Sequence, residues 1–539
     1  MLLAAIILLP SVGALALLAI PGENKEMIRR ATLAVSLVVF LLSIGLITGF
    51  DGKSSAWQFE LNEPWISHPQ INFHIGIDGI SLWLMLLTTF LVPICLLASW
   101  HSIHEHVKAF FLLFLVLETG MLGVFASLDL FLFYVFWEVG LVPMYLLIGV
   151  WGHGRRVYAA VKFFLFTMAG SVLMLVAIVW LYQNGGTFDL PVLIRMAQAK
   201  TLDMSPGKES LLFLAFFIAF AIKVPLWPLH TWLPDAHVEA PTAGSVILAG
   251  VMLKMGTYGL VRFCLPLFPG AAAQHSGWIV ALALIGIVYG SLVSLVQTNM
   301  KKLVAYSSVA HLGFVVLGIF SFNQIALDGA VYQMLNHGIS TGALFLLVGM
   351  LYERRHTLMI ADYGGVATPM PVLSSFFLFI TLSSIGLPLL NGFVGEFLIL
   401  LGVGQTSVTS AAIAATGVIL SAAYLLWLYQ RVFLQEVVHE ENRHLQDLSM
   451  REKFVLWPLA VMALVMGVAS PWFMRPMEPS TERVMREAGS AVQRVQNRAV
   501  PVNAATNNTA TNRAATVRER FLPGQYRSLT VAARPGQSR

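Results

Sequence analysis

The chain has 539 residues, of which 57% are hydrophobic and 11% charged, with a formal net charge of +5 and a mean hydropathy of +0.75. Soluble domains carry about 25% charged residues, so this composition excludes a chain that faces water over most of its surface. The excess positive charge lies in short loops and an Arg-rich C-terminal stretch rather than on a basic face with interleaved aromatics, which argues against a nucleic-acid partner.

Taken in chain order, the apolar runs predict an all-α polytopic membrane protein. About fourteen spans are expected, at 2–20, 30–50, 79–100, 109–126, 129–150, 158–182, 210–233, 241–264, 277–297, 303–320, 328–351, 371–402, 408–434 and 453–473. Each is close to the ~20 residues a helix needs to cross the bilayer. Alternating runs of strand length are absent, which excludes a transmembrane barrel. The first run lacks a basic leader and a small-residue cleavage site, so it reads as a retained helix. Between the second and third spans, Trp57, Phe59, Trp65 and Phe73 alternate loosely and suggest an interfacial hairpin over Asp51 to Gly76. From Pro476 onward Ala, Asn, Thr and Arg dominate and apolar periodicity stops, so a disordered or only locally helical tail is expected. The two cysteines, Cys95 and Cys264, lie far apart in apolar segments and read as small buried hydrophobes. No Gly-rich nucleotide loop follows a predicted strand, so the chain itself is expected to hold no NADH.

Loop charge sets an expected orientation. Lys25, Arg29, Arg30, Lys108, Arg155, Arg156, Lys301, Lys302, Arg354, Arg355, Arg431, Arg443, Arg451 and Lys453 fall on one side. Only Lys53, Arg195, Lys200 and Lys208 precede the tail on the other. The rich side is expected to be cytoplasmic, with the N-terminus outside.

Several ionisable groups stand where lipid makes them costly. Glu118, Glu138, Lys223, Lys254, His311 and His337 are near the middle of their spans, and Glu396 lies in the second half of the long run 371–402. A charge at the bilayer centre costs about 2.5–3.5 kcal/mol on insertion scales. One such group can be a structural hydrogen bond between helices. Six or seven at similar depth point instead to a polar line in the membrane plane, of the kind that relays protons.

Prolines single out two of these spans. Pro225 and Pro228 interrupt Phe220 to His230, and their missing donors should free the carbonyls of Ala221 and Val224. Pro388, among Gly386, Gly392 and Gly395, should do the same to Ser384. The stretches Ile222-x-x-Pro225-Leu226 and Ile385-x-x-Pro388-Leu389 match, and paired broken helices point to an inverted-repeat transporter. The expected divisions are helices 1–3 over 1–107, a first half over 108–265, a second half over 266–435, a last helix over 436–474 and a tail over 475–539.

Five stretches carry a family resemblance. Phe136-Trp-Glu-Val-Gly-Leu-Val-Pro-Met-Tyr145, Lys223 to His237, Glu239 to Lys254, Tyr306 to Gly313 and the Asp78-Gly-Ile-Ser stretch are similar to the antiporter-like membrane subunits of respiratory complex I. The resemblance covers roughly Met1 to Trp472. At the position where most members carry a lysine, this chain has Glu396. That carboxylate resembles subunit M, the counterpart of mitochondrial subunit 4. No long lateral helix is expected after Phe473.

The resemblance implies two inverted five-helix repeats, each with one broken helix. It implies that Glu138 pairs with Lys223, that Lys254 bridges the halves, and that His311, His337 and Glu396 continue the route. His230 would stand at a hydrated uptake pathway, whereas Glu118 fits either a pathway residue or a packed partner of a neighbouring helix. A lysine suits the task because burial weakens its hold on a proton and a nearby carboxylate strengthens it. Opening the Glu138–Lys223 pair would pass a proton toward Lys254, and the charge shift would travel through His337 to Glu396. The implied complex oxidises NADH and reduces quinone, with NADH, FMN, iron–sulfur clusters and quinone in other subunits and no cofactor on this chain. Its implied partners are the neighbouring antiporter-like subunits, the lipid of the inner (plasma) membrane and protons. A subunit of a stand-alone sodium/proton antiporter is the alternative. A non-conducting membrane anchor has no use for a midplane row of charges.

Overall fold

The computed structural model describes residues 1–434 and 436–489. The chain opens with α1 (Leu2–Leu18) and α2 (Lys25–Gly49), followed by an antiparallel hairpin of β1 (Gln58–Ile66) and β2 (Ile71–Ile77). The helices α3 (Gly79–Ala98), α4 (Val107–Ala126), α5 (Leu130–Trp151) and α6 (Arg156–Gly185) follow. Next come a short amphipathic helix α7 (Leu190–Gln198), then α8 (Pro206–Lys223), α9 (Trp232–Glu239) and α10 (Thr242–Leu267). The remainder is α11 (Pro269–Leu295), α12 (Met300–Phe320), α13 (Gln324–Arg355), α14 (Pro371–Ser384), α15 (Asn391–Thr406), α16 (Val408–Leu434), α17 (Met450–Val468) and α18 (Ser470–Glu487). Ten of the described helices are long and apolar enough to cross a membrane singly, which makes this a multi-pass membrane protein.

The helices start where short polar side chains supply the first-turn acceptors. Asp78 accepts from the backbone N–H groups of Ile80 and Ser81, Asp129 from Phe131 and Leu132, and Asp189 from Val192. Asn299 and Asn323 do the same for α12 and α13. Such a cap offsets donors that no intrahelical carbonyl can reach, worth about 1 kcal/mol each. The core lies among α3, α4, α10, α12 and α13, whose apolar windows are almost wholly buried, whereas α2, α6, α11 and α16 turn most of theirs outward. Both cysteines are buried.

The hairpin expected between the second and third spans is present, and it is tied to the helices by charge. The buried His74 ring puts Nδ1 2.8 Å from Asp189 and Nε2 2.8 Å from Glu60. Burial by itself would lower the pKa of His74, but the hydrogen bonds to Asp189 and Glu60 more than offset it and raise the value. At the start of α3 the fully buried Asp78 carboxylate receives Arg262 of α10 at 2.7 Å and Arg483 of α18 at 2.6 Å. Burial would raise its pKa, and the two guanidinium groups pull it down instead to about 2. Both guanidinium groups also lie over the Trp57 ring, 4.6 and 4.2 Å from its centroid.

One expectation needs correction, and two segments gain detail. The stretch beyond Pro476, expected to be disordered or only locally helical, begins as a local helix: α18 runs through Pro476 and Pro479 to Glu487. Its register is held by Arg483 and by Ser480, which accepts from Gly79 N–H, and Gly79 admits the Pro476 carbonyl where any Cβ would collide with it. The rest of the expected tail, residues 490–539, lies outside the described residues. Lys301 is not a loop cation. It sits in the first turn of α12, buried, and donates 2.5 Å to the carbonyl of Ala240. Finally, the segment between α6 and α8, which no expected span covers, contains the helix α7.

Candidate functional site

Two helices are interrupted inside the bundle. After Lys223 the chain leaves helical geometry and resumes it only at Trp232, and after Ser384 it resumes at Asn391. The prolines remove donors as expected, but the carbonyl of Ala221 is not left free, because the Leu226 N–H reaches it at 2.8 Å. At the second break, Leu389 has a positive φ of 75° and its carbonyl lies against Gly467 of α17, where a side chain would not fit. Each break therefore places a charged group, Lys223 or Glu396, beside backbone that has left the regular ladder.

Glu138 and Lys223 do not form the expected ion pair. The Lys223 ammonium faces the rings of Trp137 and Phe163, each centroid 5.4 Å away. Glu138 is within electrostatic range of it, but no N–O distance reaches the 4.0 Å of an ion pair. The Glu138 Oε1 atom is buried and has no hydrogen-bond partner among the described residues. Trp137, the neighbour of Glu138 in sequence, occupies the place where the carboxylate was expected, and aromatic faces hold a desolvated cation without fixing its direction.

Further along, the contacts become direct. Lys254 is fully buried on α10 between two π-helical turns, Leu248–Met252 and Leu260–Cys264. Such turns slip the backbone ladder by one residue, and the Lys254 ammonium donates to the carbonyl of Ala249. Its Nζ also lies 2.7 Å from His337 Nδ1 on α13. The His337 ring is 6.0 Å from that of His311 on α12, whose Nδ1 is 2.7 Å from Glu396 Oε1 on α15. Gln333 donates 3.0 Å to the same carboxylate oxygen, and Asn336 donates 3.1 Å to Gln333. Tyr424 on α16 places its hydroxyl 3.4 Å from His311 Nε2. A small polar cavity borders His311, His337, Asn336 and Ser384. The unpaired His337 Nε2, Asn336 Oδ1 and Ser384 Oγ belong to residues that line it, and such groups are the usual partners of buried water.

The structure thus joins Lys254, His337, His311 and Glu396 in one row, with Glu138 and Lys223 near its other end and out of contact with each other. His230 is buried beside Tyr289 and Tyr306, at ring distances of 5.3 and 6.2 Å, and neither ring nitrogen has a partner among the described residues. Glu118 is completely buried on α4, and both carboxyl oxygens lack partners among the described residues.

Further polar residues lie in these helices that the chain's pattern of charges did not single out. Lys162 of α6 and Asp235 of α9 form an ion pair of 2.7 Å, and Lys162 stands near the start of its span rather than at its middle. Gln333, Asn336, His337 and Ser340 follow the i, i+3, i+4, i+7 spacing of one helix face, a polar stripe that the linear chain itself displays. His237, stacked on Phe345 at 4.5 Å with both nitrogens unpartnered among the described residues, carried no such signal.

Comparison with known proteins identifies the family. Residues 127–422 match the family described as NADH:quinone oxidoreductase/Mrp antiporter, transmembrane, and residues 5–125 match NADH-ubiquinone oxidoreductase chain 4, amino terminus. The chain is 51% identical over 443 residues to NADH-quinone oxidoreductase subunit M of Rhodobacter capsulatus, covering 81% of this chain and 86% of that protein. It is 44% identical over 485 residues to NADH-ubiquinone oxidoreductase chain 4 of Marchantia polymorpha, covering 90% and 97%. Among solved structures, a chain of respiratory complex I from Thermus thermophilus superposes with a TM-score of 0.82 at 34% identity, covering 91% of this chain and all of that one. A chain of the Mrp complex from a Dietzia species shares the fold with a TM-score of 0.78 at 19% identity, covering 92% and 100%. The fold is common to both groups, but the level of identity separates them, and the chain belongs to the NADH-quinone oxidoreductase subunit M and chain 4 family.

Proposed function

We propose that this chain is a proton-translocating, non-redox subunit of a respiratory NADH-quinone oxidoreductase. The observation that carries the reading is the row of buried contacts from Lys254 through His337 and His311 to Glu396, with both end contacts at 2.7 Å. Bases in hydrogen-bond contact, linked across one polar cavity, can pass a proton by small movements of side chains. A membrane anchor would gain nothing from them, because buried ionisable groups are costly.

In this reading Lys223 is loaded first and moves off the Trp137 and Phe163 faces, drawn or released by Glu138 as that carboxylate approaches or withdraws. Its charge acts on Lys254, which hands a proton to His337 Nδ1. His311 then passes charge to Glu396, which Gln333 holds in place. The interrupted helices counted as one span each give fourteen crossings. The spans α4 to α10 and α11 to α16 form two inverted repeats of five. The cation-rich loops around Arg155 and Arg354 lie on the cytoplasmic side of the inner (plasma) membrane, and the N-terminus lies outside. NADH, FMN, iron–sulfur clusters and quinone reside in other subunits, and the neighbouring antiporter-like subunits pack beside this one.

The test is proton pumping per electron in membrane vesicles, with assembly of the complex checked independently. Lys254→Ala is expected to assemble and lose pumping. Normal pumping in a fully assembled Lys254→Ala complex would leave the anchor as the better reading.

A further inference from the structure

The row of bases needs one more supply of protons. Lys254 gives a proton to His337 in the reading above, on which this inference rests, and must then be reloaded. Its own hydrogen bonds go to Ala249 and His337, and none reaches Lys223. His237 of α9 lies within electrostatic range of Lys254 and also of Lys301. Its ring is completely buried, and neither nitrogen has a hydrogen-bond partner among the described residues. Two unmatched buried polar atoms call for an explanation. Stacking on Phe345 at 4.5 Å holds the ring without fixing where its N–H points.

A small cavity adjoins Lys301 and is also lined by His153, Thr242, Tyr352 and Leu358. Its volume is about 30 Å³, and one water needs roughly 10–15 Å³ of such space. His153 is exposed and stands edge-on to Tyr352 at 5.3 Å, so this end meets solvent. The stripe of α13 that carries Tyr352 continues through Gly349, Phe345 and Thr341 to His337. Phe345 is about 10 Å along the axis from Tyr352 and about 12 Å from His337, at 1.5 Å per residue. His237, stacked on Phe345, therefore stands about midway between the cavity and the row. Lys301 controls this approach. Its buried ammonium donates to the carbonyls of Ala240 at 2.5 Å and Val238 at 3.5 Å, just beyond His237 in the chain. Glu239 is the carboxylate in range of it, and that side chain lies against Gly154, where a Cβ would crowd it. A lysine at a helix C-terminus is favourable without being buried. Buried here, its charge repels a proton arriving at His237.

We propose that His237 is a second proton inlet to the row, fed from this cytoplasmic cavity and gated by Lys301. When the Lys301 ammonium turns from the α9 carbonyls toward Glu239, a proton from cavity water binds one ring nitrogen of His237. The ring gives that proton to the neutral Lys254 amine left after transfer to His337, and His237 returns to its neutral form. With the ammonium back on Ala240 and Val238, its charge bars return of the proton to the cytoplasm. His237 is the carrier, and Lys301 is a positioning residue that acts through it.

The experiment measures pumping per electron, and the stimulation of quinone reduction by a protonophore, in vesicles holding the assembled complex. His237→Gln keeps a polar side chain that carries no proton and should lower pumping about tenfold or more. Lys301→Met keeps the stem and removes the charge. Protons should then slip back to the cytoplasm, which should roughly halve pumping per electron and abolish the protonophore stimulation. Lys301→Arg, which retains the charge, should restore both. Adding His237→Gln to Lys301→Met should bring the stimulation back, because the carrier of the slip is gone. A merely structural role for Lys301 predicts no such reversal. If Lys301→Met fails to assemble, Leu358→Trp, which fills the cavity from the loop after α13, should lower pumping as His237→Gln does. Normal pumping in assembled His237→Gln or Leu358→Trp complexes, or unchanged coupling in Lys301→Met, would overturn the proposal. Lys254→Ala keeps the two readings apart: if it loses pumping while His237→Gln pumps normally, the inlet alone is wrong, and if it pumps normally, the row itself is.

Discussion

The two interrupted helices use the same backbone device around opposite chemistry. At the first break Lys223 lies against the aromatic faces of Trp137 and Phe163, with Glu138 near but out of contact. At the second, Glu396 is held by His311 and Gln333, and its neighbours are held in turn by Asn336 and Tyr424. A cation over a ring keeps its freedom, because the attraction has little directional preference within the face. A carboxylate fixed by two hydrogen bonds does not. The first region is therefore built for a charge that moves, and the second for a proton that is held and handed on.

The strongest way to break this contrast is to remove the links of the second region. Lys254→Ala and Glu396→Gln should each reduce pumping per electron more than tenfold, equivalent to at least about 1.4 kcal/mol of lost transfer competence. Quinone reduction should fall with pumping, because the two are coupled in this reading. An assembled Glu396→Gln complex that pumps normally would show that the 2.7 Å contact with His311 is structural only.

A double-mutant cycle sharpens the same comparison. Converted from pumping rates to free energies, His311→Leu with Glu396→Gln should show a coupling of about 1–3 kcal/mol, as expected for residues in one network. Glu138→Gln with Lys223→Ala should also couple, because in the proposed reading Glu138 acts on Lys223 through its charge as it approaches and withdraws. Additive losses would take Glu138 out of the Lys223 step.

A smaller effect concerns the hairpin that flanks the first region. The raised pKa of His74 means that its ties to Glu60 and Asp189 contribute fully below the ordinary histidine value of 6.5 and are lost as pH rises through the higher folded value. Asp189, with a lowered pKa, contributes above the ordinary carboxyl range and loses its share as pH falls. Protection of the β1 amides from hydrogen exchange should thus be greatest in mildly acidic solution and fall on the alkaline side. His74→Gln should flatten that alkaline fall, and an unchanged profile would remove the histidine from the account.

The smallest effect is expected at Glu118. Its carboxyl touches no member of the row, so Glu118→Gln should change pumping by less than about twofold. A large loss would make Glu118 a branch of the pathway and widen the first region beyond Glu138 and Lys223.

Much of this is legible in the linear chain. Hydropathy alone locates the membrane helices, because only a regular helix satisfies its own backbone in lipid. Pro225, paired with Pro228, and Pro388, flanked by glycines, mark both interruptions, although Pro93, Pro458, Pro476 and Pro479 lie inside continuous helices, so a missing N–H does not by itself decide a break. The rarity of charge in apolar runs picks out Lys254, His311, His337 and Glu396 without reference to their contacts. What the linear chain leaves open is the set of distances and directions between helices. Whether Glu138 touches Lys223 depends on where the Trp137 ring turns, and that is decided by packing against Phe220 and Phe133. Lys301 resembles a loop cation because its burial comes from carbonyls of α9 and its C-terminal end, some sixty residues earlier. The helix through Pro476 is hidden because its polar composition is unfavourable in isolation; Asp78 and Gly79, some four hundred residues away, supply its ion pair and its close backbone contact. Local sequence determined which segments are helical and which residues are costly to bury, because those are properties of a few consecutive residues in a given solvent. Only the tertiary structure decided which costly groups meet, because that depends on the rotation and depth of helices distant in sequence.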